Sequence, residues 1–201
     1  MHVAIITYDG VDELDALGPY RVLEGAADVG EDVEVTLCTL EPTDIITASH
    51  GLAVRPDTTI DDVDPDLVVV PGGGWNARSE VGAWAEAQDG RILAVLDELH
   101  DRGIPLAAVC TGGMLLANAG LTDSRPAVTH QGATEELAET GAEIRDARVV
   151  DDGDIVTAGG VTAGIDLALH LLERELGADV ATAVASRLEY DRQDSVATFD
   201  S

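Results

Sequence analysis

Lysine is absent from this chain of 201 residues. All 11 basic residues are arginine, set against 39 acidic ones, for a formal net charge of −28. Positive charge is too scarce and the net field too negative for phosphate neutralisation, which argues against nucleic acid or anionic lipid as partners. Cysteine is nearly absent as well. With only Cys38 and Cys110, no disulfide framework holds the chain, and a reducing, cytoplasmic compartment is expected. Aromatic residues make up 3% and apolar residues 45%, so the interior must be assembled from Val, Leu, Ile and Ala; the single Phe199 lies in the tail. The N-terminus, Met1 to Asp9, lacks a basic n-region and a long apolar h-region, and reads as a first strand rather than a signal peptide. One uncharged stretch, Gly103 to Thr122, is long enough to span a bilayer. Pro105, its glycines, Asn118 and a change of period from strand to helix mark it instead as a buried β-turn-α unit.

What the chain does have is one core's worth of sequence and an unusual surface. Its length suits a single domain over residues 1–201, with no repeat, linker or composition shift to divide it, and with a polar tail from Asp191 expected to be loosely held. The charge would suggest disorder were the apolar content not so high and so regularly spaced. An acidic, solvated shell around an ordinary core resembles the proteins of salt-in halophilic archaea, where concentrated salt screens the self-repulsion.

Continuous apolar runs at His2–Thr7, Val33–Thr39, Leu67–Val70 and Pro105–Val109 predict strands buried on both faces of a parallel sheet. Helical periodicity falls between them, over Asp15–Ala27, Gly90–Asp101 and Gly112–Ala119. Two further helices are predicted at Thr162–Leu176 and Ala178–Tyr190, with Gly177 stopping the first. Alternating strand and helix imply a doubly wound α/β sandwich. Ile45–Val54 reads as a hairpin turning near His50-Gly51. Arg148–Val150 and Ile155–Ala158 read as another, joined by Asp151-Asp-Gly-Asp154. That acidic turn lacks the spaced ligand set of a calcium loop, and the run Asp57–Asp66 is read the same way.

The chemistry gathers at Cys110, where the strand gives way to a helix opened by Gly112 and Gly113. A sharp reversal there would aim unpaired backbone N–H groups at the thiol, which predicts an acidic, partly exposed and reactive cysteine. Ligands in such sheets bind beyond the carboxyl ends of the strands, so the loop after the first strand, with Asp12, Glu13 and Asp15, should face the thiol. Asp15 reads equally as a helix N-cap or as an acid/base group. The Gly72-Gly73-Gly74 run after the third predicted strand can expose N–H groups to an oxyanion and is not a dinucleotide fingerprint, so no cofactor is expected. His130 could move protons or wall the pocket. The other histidines show no ligand spacing, so no metal is expected, and Cys38 reads as a buried small hydrophobe.

The run Val109-Cys-Thr-Gly-Gly-Met-Leu-Leu-Ala-Asn-Ala-Gly-Leu-Thr-Asp123, with Ala127-Val-Thr-His130, resembles the DJ-1/PfpI (ThiJ/PfpI) superfamily. Leu14-Asp-Ala-Leu-Gly-Pro19 and Gly159-Gly-Val-Thr-Ala-Gly-Ile-Asp-Leu-Ala-Leu-His170 look like the branch containing isonitrile hydratase and the sensor domains of AraC-type regulators. The resemblance implies a flavodoxin-like three-layer sandwich, a homodimer, and Cys110 as nucleophile with Asp15 as its carboxylate partner. It also implies an oxyanion site made of Gly72, Gly73 and the Thr111 N–H, with His130 in the pocket. Thr111 stands where PfpI-type peptidases carry His, so peptidase activity is not expected. The activity implied is hydration of an isonitrile, a small-molecule substrate, to an N-substituted formamide. The alternatives are glyoxalase or deglycase chemistry on an aldehyde, or a ligand or redox sensor acting through Cys110 oxidation.

Overall fold

The computed structural model describes residues 1–193 and 195–199. Its strands in chain order are β1 (His2–Ile6), β2 (Glu34–Thr39), β3 (Ile46–Thr47), β4 (Ala53–Val54), β5 (Thr58–Thr59) and β6 (Leu67–Val70), then β7 (Leu106–Val109), β8 (Pro126–Ala127), β9 (Glu143–Ile144), β10 (Val149–Asp152), β11 (Ile155–Ala158) and β12 (Val196–Thr198). Eight of them form one sheet in the order β12-β10-β11-β7-β6-β1-β2-β5. Every pairing in it is parallel except β10 with β11. The central strands β6 and β7 are buried along their whole length, as their uninterrupted apolar sequences require. Strands β3 and β4 make the predicted hairpin, and β8 pairs with β9 in a separate ribbon.

Helices cover both faces of the sheet. On one side α1 (Glu13–Glu24) packs on α6 (Ala163–Leu176), which packs on α7 (Ala178–Arg187). On the other lie α2 (Ala83–Asp89), α3 (Arg91–Asp101), α4 (Gly112–Asn118) and α5 (Thr134–Glu139). This is the flavodoxin-like sandwich expected from the sequence. The uncharged stretch resolves into β7 and α4, and among the described residues no helix is long and apolar enough to cross a membrane.

Three local expectations are corrected. First, α1 begins before Asp15: Asp12 is the N-cap, its side chain accepting the N–H groups of Leu14 and Asp15. Second, the late hairpin turns on Gly153 and Asp154 alone, because Asp151 and Asp152 are strand residues paired with Val156 and Ile155. Third, the tail is tied down. Val196–Thr198 adds an edge strand to β10, and Tyr190 Oη and Gln193 N–H both donate to Asp166, at 2.9 and 3.0 Å. Residues 194, 200 and 201 of that tail lie outside the described residues.

Asp166 is fully buried and also pairs with Arg148, whose guanidinium continues to Thr162 Oγ1 at 2.9 Å. Three donors, from the residue before β10, the segment after α7 and the tail, thus close on one carboxylate. Removing one partner of a buried pair strands the others. Asp166→Ala is expected to cost about 3 kcal/mol of stability, measured by chemical unfolding at constant high salt. A loss under about 0.5 kcal/mol, the range of an ordinary surface substitution, would mean that the tail is not held through Asp166.

The candidate active site

Strands β11, β7, β6 and β1 are neighbours and run the same way, so the loops that follow them emerge side by side at one edge of the sheet. These loops carry Val161, Cys110, Gly73 to Trp75 and Asp12, and these residues line a cavity of about 210 Å³. Larger concavities, such as the one beside Arg55 and Asp57, lie elsewhere, and among the described residues no cysteine lines them.

Cys110 immediately follows β7 with φ 57°, a left-handed conformation that an L-residue adopts only at a cost of about 1–2 kcal/mol. Its neighbours hold it there. The Cys110 N–H donates to the carbonyls of Ala158 and Gly159, at 3.1 and 3.0 Å. Its own carbonyl accepts the buried Thr129 hydroxyl at 2.8 Å. The adjoining glycines are needed for close approach: a Cβ on Gly112 would lie 2.0 Å from the Val70 carbonyl oxygen, and one on Gly72 would lie 2.5 Å from the Thr111 nitrogen.

Asp15, in the first turn of α1, is fully buried. Its Oδ2 accepts the Gly72 N–H at 3.2 Å, and its Oδ1 meets no hydrogen-bond partner among the described residues. The Cys110 thiol approaches this carboxyl and acts on its ionisation. Burial, reinforced by the charge of Asp12, lifts the Asp15 pKa from 3.8 to about 7, against the opposing bonds from Cys110 and Gly72. Desolvation and the nearby Asp15 charge push the thiol up to about 12, although backbone N–H groups of Val161 and Thr111 hydrogen-bond it and pull the other way. The acidic, partly exposed thiol expected from the turn alone is therefore corrected. Cys110 is 6% exposed, and burial beside a carboxylate outweighs two backbone donors and the dipole of a seven-residue helix.

The oxyanion site needs the same revision. The Gly72 N–H is spent on Asp15, the Gly73 N–H donates to Thr111 Oγ1 at 3.0 Å, and the Thr111 N–H faces the sulfur. These two glycines fix the carboxyl and the threonine rather than presenting free donors. Cβ atoms on Gly73 or Gly72 would strike backbone, which explains their identity without an oxyanion.

His130 lines the cavity, its ring against Gly160. Its Nδ1 accepts the Gly132 N–H at 3.0 Å and lies 3.2 Å from Asn76 Nδ2. With Nδ1 so engaged, a neutral ring carries its proton on Nε2. Trp75 forms another wall, donating its indole N–H to Glu136 at 3.1 Å. Glu136 also binds Arg78, whose guanidinium lies 3.8 Å from the Trp84 ring centre.

Sequence reasoning brought together Cys110, Asp15, Thr111, Gly73 and His130 but missed Asn76, Trp75 and Val161. Val161 has φ 41°, a true outlier for a β-branched residue, and it both lines the cavity and offers its N–H to the sulfur. The preceding Gly159-Gly160 pair was the available signal, since such pairs allow a backbone to approach closely. Asp12, Glu13 and His50 are the three metal-ligating side chains that converge among the described residues. Of the three, Glu13 and His50 form an ion pair at 2.7 Å, while Asp12 caps α1. Burial would raise Glu13, but bonds from His50 and Ser49 bring its pKa down to about 2. Cys38 is fully buried in β2, and desolvation lifts its thiol to about 12.

The sequence profile of the DJ-1/PfpI family matches residues 1–174. An isonitrile hydratase of Pseudomonas putida is 35% identical over 191 residues, covering 94% of this chain and 78% of its own. A deglycase of Pyrococcus horikoshii is 29% identical, covering 79% and 89%. Among solved structures, a ThiJ/PfpI family protein from Pseudomonas syringae superposes with a TM-score of 0.82 at 28% identity, covering 96% of this chain and 76% of that one.

Proposed function

The chain belongs to the DJ-1/PfpI family, and from that premise we propose that it is a cysteine-dependent hydratase converting an isonitrile to an N-substituted formamide. One observation carries the reading: a fully buried carboxyl with an unpartnered oxygen, Asp15 Oδ1, lies beside the Cys110 thiol, and burial raises its pKa to about 7. Isonitrile hydration needs that pair, because the terminal carbon must gain both a nucleophile and a proton.

In the state of the pair that holds one proton, the sulfur attacks the isonitrile carbon and Asp15 delivers the proton to the same carbon. The product is a neutral thioimidate on Cys110, with Asp15 left as carboxylate. Water then adds: its hydroxyl goes to the thioimidate carbon, and its proton reaches the nitrogen by way of Asp15. Collapse of this adduct expels the sulfur as thiolate, returns the hydroxyl proton to Asp15 and releases the formamide. Bond changes balance to isonitrile plus water giving formamide. No oxyanion forms in the first addition, which suits a site whose two glycine N–H groups are already engaged. Hemithioacetal chemistry on an aldehyde would ask for those donors, and Thr111 leaves no His beside Cys110 for amide hydrolysis. A homodimer and a cytoplasmic location belong to the same proposal.

The test is incubation with cyclohexyl isonitrile in high salt, following formamide by NMR and the Cys110 adduct by intact-protein mass spectrometry. Turnover is expected, with Cys110→Ala lowering it by about 10³ or more. Formamide production by Cys110→Ala at the wild-type rate would sink nucleophilic catalysis.

A further inference from the structure

The walls of the cavity are uneven in charge. Among the described residues, Asp12 is the carboxylate that lines it together with Cys110, and no arginine lines it. Of the charged groups around it, His50 lies within 4.8 Å of both Asp12 and Glu13, so its one imidazole can offset at most one of two carboxylates. Glu13, the next residue, turns to His50 and Ser49. The nearest guanidinium on the Trp75 loop, that of Arg78, is engaged by Glu136 and stacked on Trp84. His130 is the remaining titratable wall residue besides the thiol, and its Nδ1 is occupied. Asp15 is fully buried beside the sulfur and does not line the cavity.

Asp12 is also held firmly in place. Its backbone N–H donates to the Gly72 carbonyl at 2.8 Å, while Oδ1 accepts Leu14 N–H at 3.0 Å and Asp15 N–H at 3.4 Å. A carboxylate fixed at a helix N-cap cannot swing away from an entering ligand, and in a small, partly desolvated cavity its charge is felt strongly. The N-cap role alone would be served as well by Ser, Thr or Asn.

We infer that Asp12 selects the substrate by charge, admitting neutral or cationic electrophiles to Cys110 and rejecting those that carry a carboxylate or phosphate beside the reacting carbon. The inference rests on Cys110 being the nucleophile of the proposed function and narrows its substrates. Alkyl isonitriles without an acidic group qualify, and acidic ones do not.

Iodoacetamide and iodoacetate are matched probes, nearly equal in size and differing by one negative charge. With either, the sulfur displaces iodide and keeps the alkyl group. Second-order rates at Cys110 are measured by intact mass and peptide mapping in about 2 M KCl, where long-range repulsion from the acidic surface is screened, with glutathione as reference thiol. The amide-to-acetate rate ratio is expected to exceed that of glutathione by about tenfold or more, and Asp12→Asn is expected to remove most of that excess. Asn keeps the cap, and Asp12→Ser, which also caps, is expected to behave alike. Losing Asp12 also changes the ionisation of the Asp15–Cys110 pair, but both reagents meet the same thiol, so that effect cancels in the ratio. Alkylation of Cys110 with an unchanged ratio in both variants would overturn charge selection and leave the nucleophile standing. Failure of both reagents to modify Cys110 would overturn the nucleophile reading and this inference together.

Discussion

Asp15→Asn is expected to abolish turnover while making the folded protein more stable. The carboxyl is fully buried, and its pKa rises from 3.8 to about 7 chiefly because burial penalises the charged form. A folded-state value above the unfolded one means that the contribution to stability is whole below about pH 4. It is lost as pH climbs through about 7, where the folded protein must give up a proton it holds tightly. At about 1.36 kcal/mol per pKa unit, the full loss approaches roughly 4 kcal/mol above pH 8. Asparagine never ionises, so the variant avoids that cost, and its advantage over the parent should grow between pH 4 and 7 and then level off. Turnover should fall by about 10³ or more, since the amide cannot supply the proton. The wild-type rate should rise with pH through a single ionisation near 7, as the Asp15–Cys110 pair passes from two protons to one. Unfolding curves of both proteins at pH 5 and pH 8, beside the product assay, check all of this. An Asn variant less stable than its parent at pH 8 would show that the carboxylate is not the penalised form.

Lowering the salt is expected to unfold the protein. A net charge of −28 on 20.9 kDa repels itself across the whole surface, and arginine ion pairs can offset little of it with 11 basic residues against 39 acidic. Salt acts on both terms with opposite signs, weakening ion pairs and relieving repulsion, and here repulsion has far more members. Raising KCl from about 0.1 M to about 2 M shrinks the screening length from about 10 Å to a few Å, and the thermal midpoint should climb by about 10 °C or more. Chloride, rather than sulfate, is the salt to use, because sulfate strengthens apolar burial for unrelated reasons. A midpoint that stays level or falls with KCl would mean that surface repulsion does not limit stability.

Much of the architecture was legible because it depends on local pattern. Runs such as Leu67–Val70 are apolar at every position, which only a strand covered on both faces can satisfy, and the strand found has those bounds. The turn at Cys110 was legible for a similar reason: a buried strand abutting two glycines leaves little conformational choice. Short elements escaped. Thr58–Thr59 and Pro126–Ala127 are two residues each, too brief to show a period, and α5 is six residues long. The edge strand Val196–Thr198 lies in a polar tail, and its partner β10 is more than forty residues earlier in the chain.

By itself the sequence determined the layering, the parallel core, the position of the thiol at a strand-to-helix reversal and the acidity of the surface. These follow from composition and short-range periodicity. Tertiary structure alone decided what each site residue does. Asp15 could have been a cap until Asp12 was seen to hold that place, leaving Asp15 buried against the thiol. Gly72 and Gly73 could have faced an oxyanion until Asp15 and Thr111 were seen to take their N–H groups. Cys110 was expected to be acidic from a dipole that sequence can locate, yet desolvation, which sequence cannot locate, moves its pKa further and in the opposite direction. Burial and hydrogen-bond partnership between residues that lie 38 and 57 positions apart are properties of the packed chain, and they set the protonation state on which the chemistry depends.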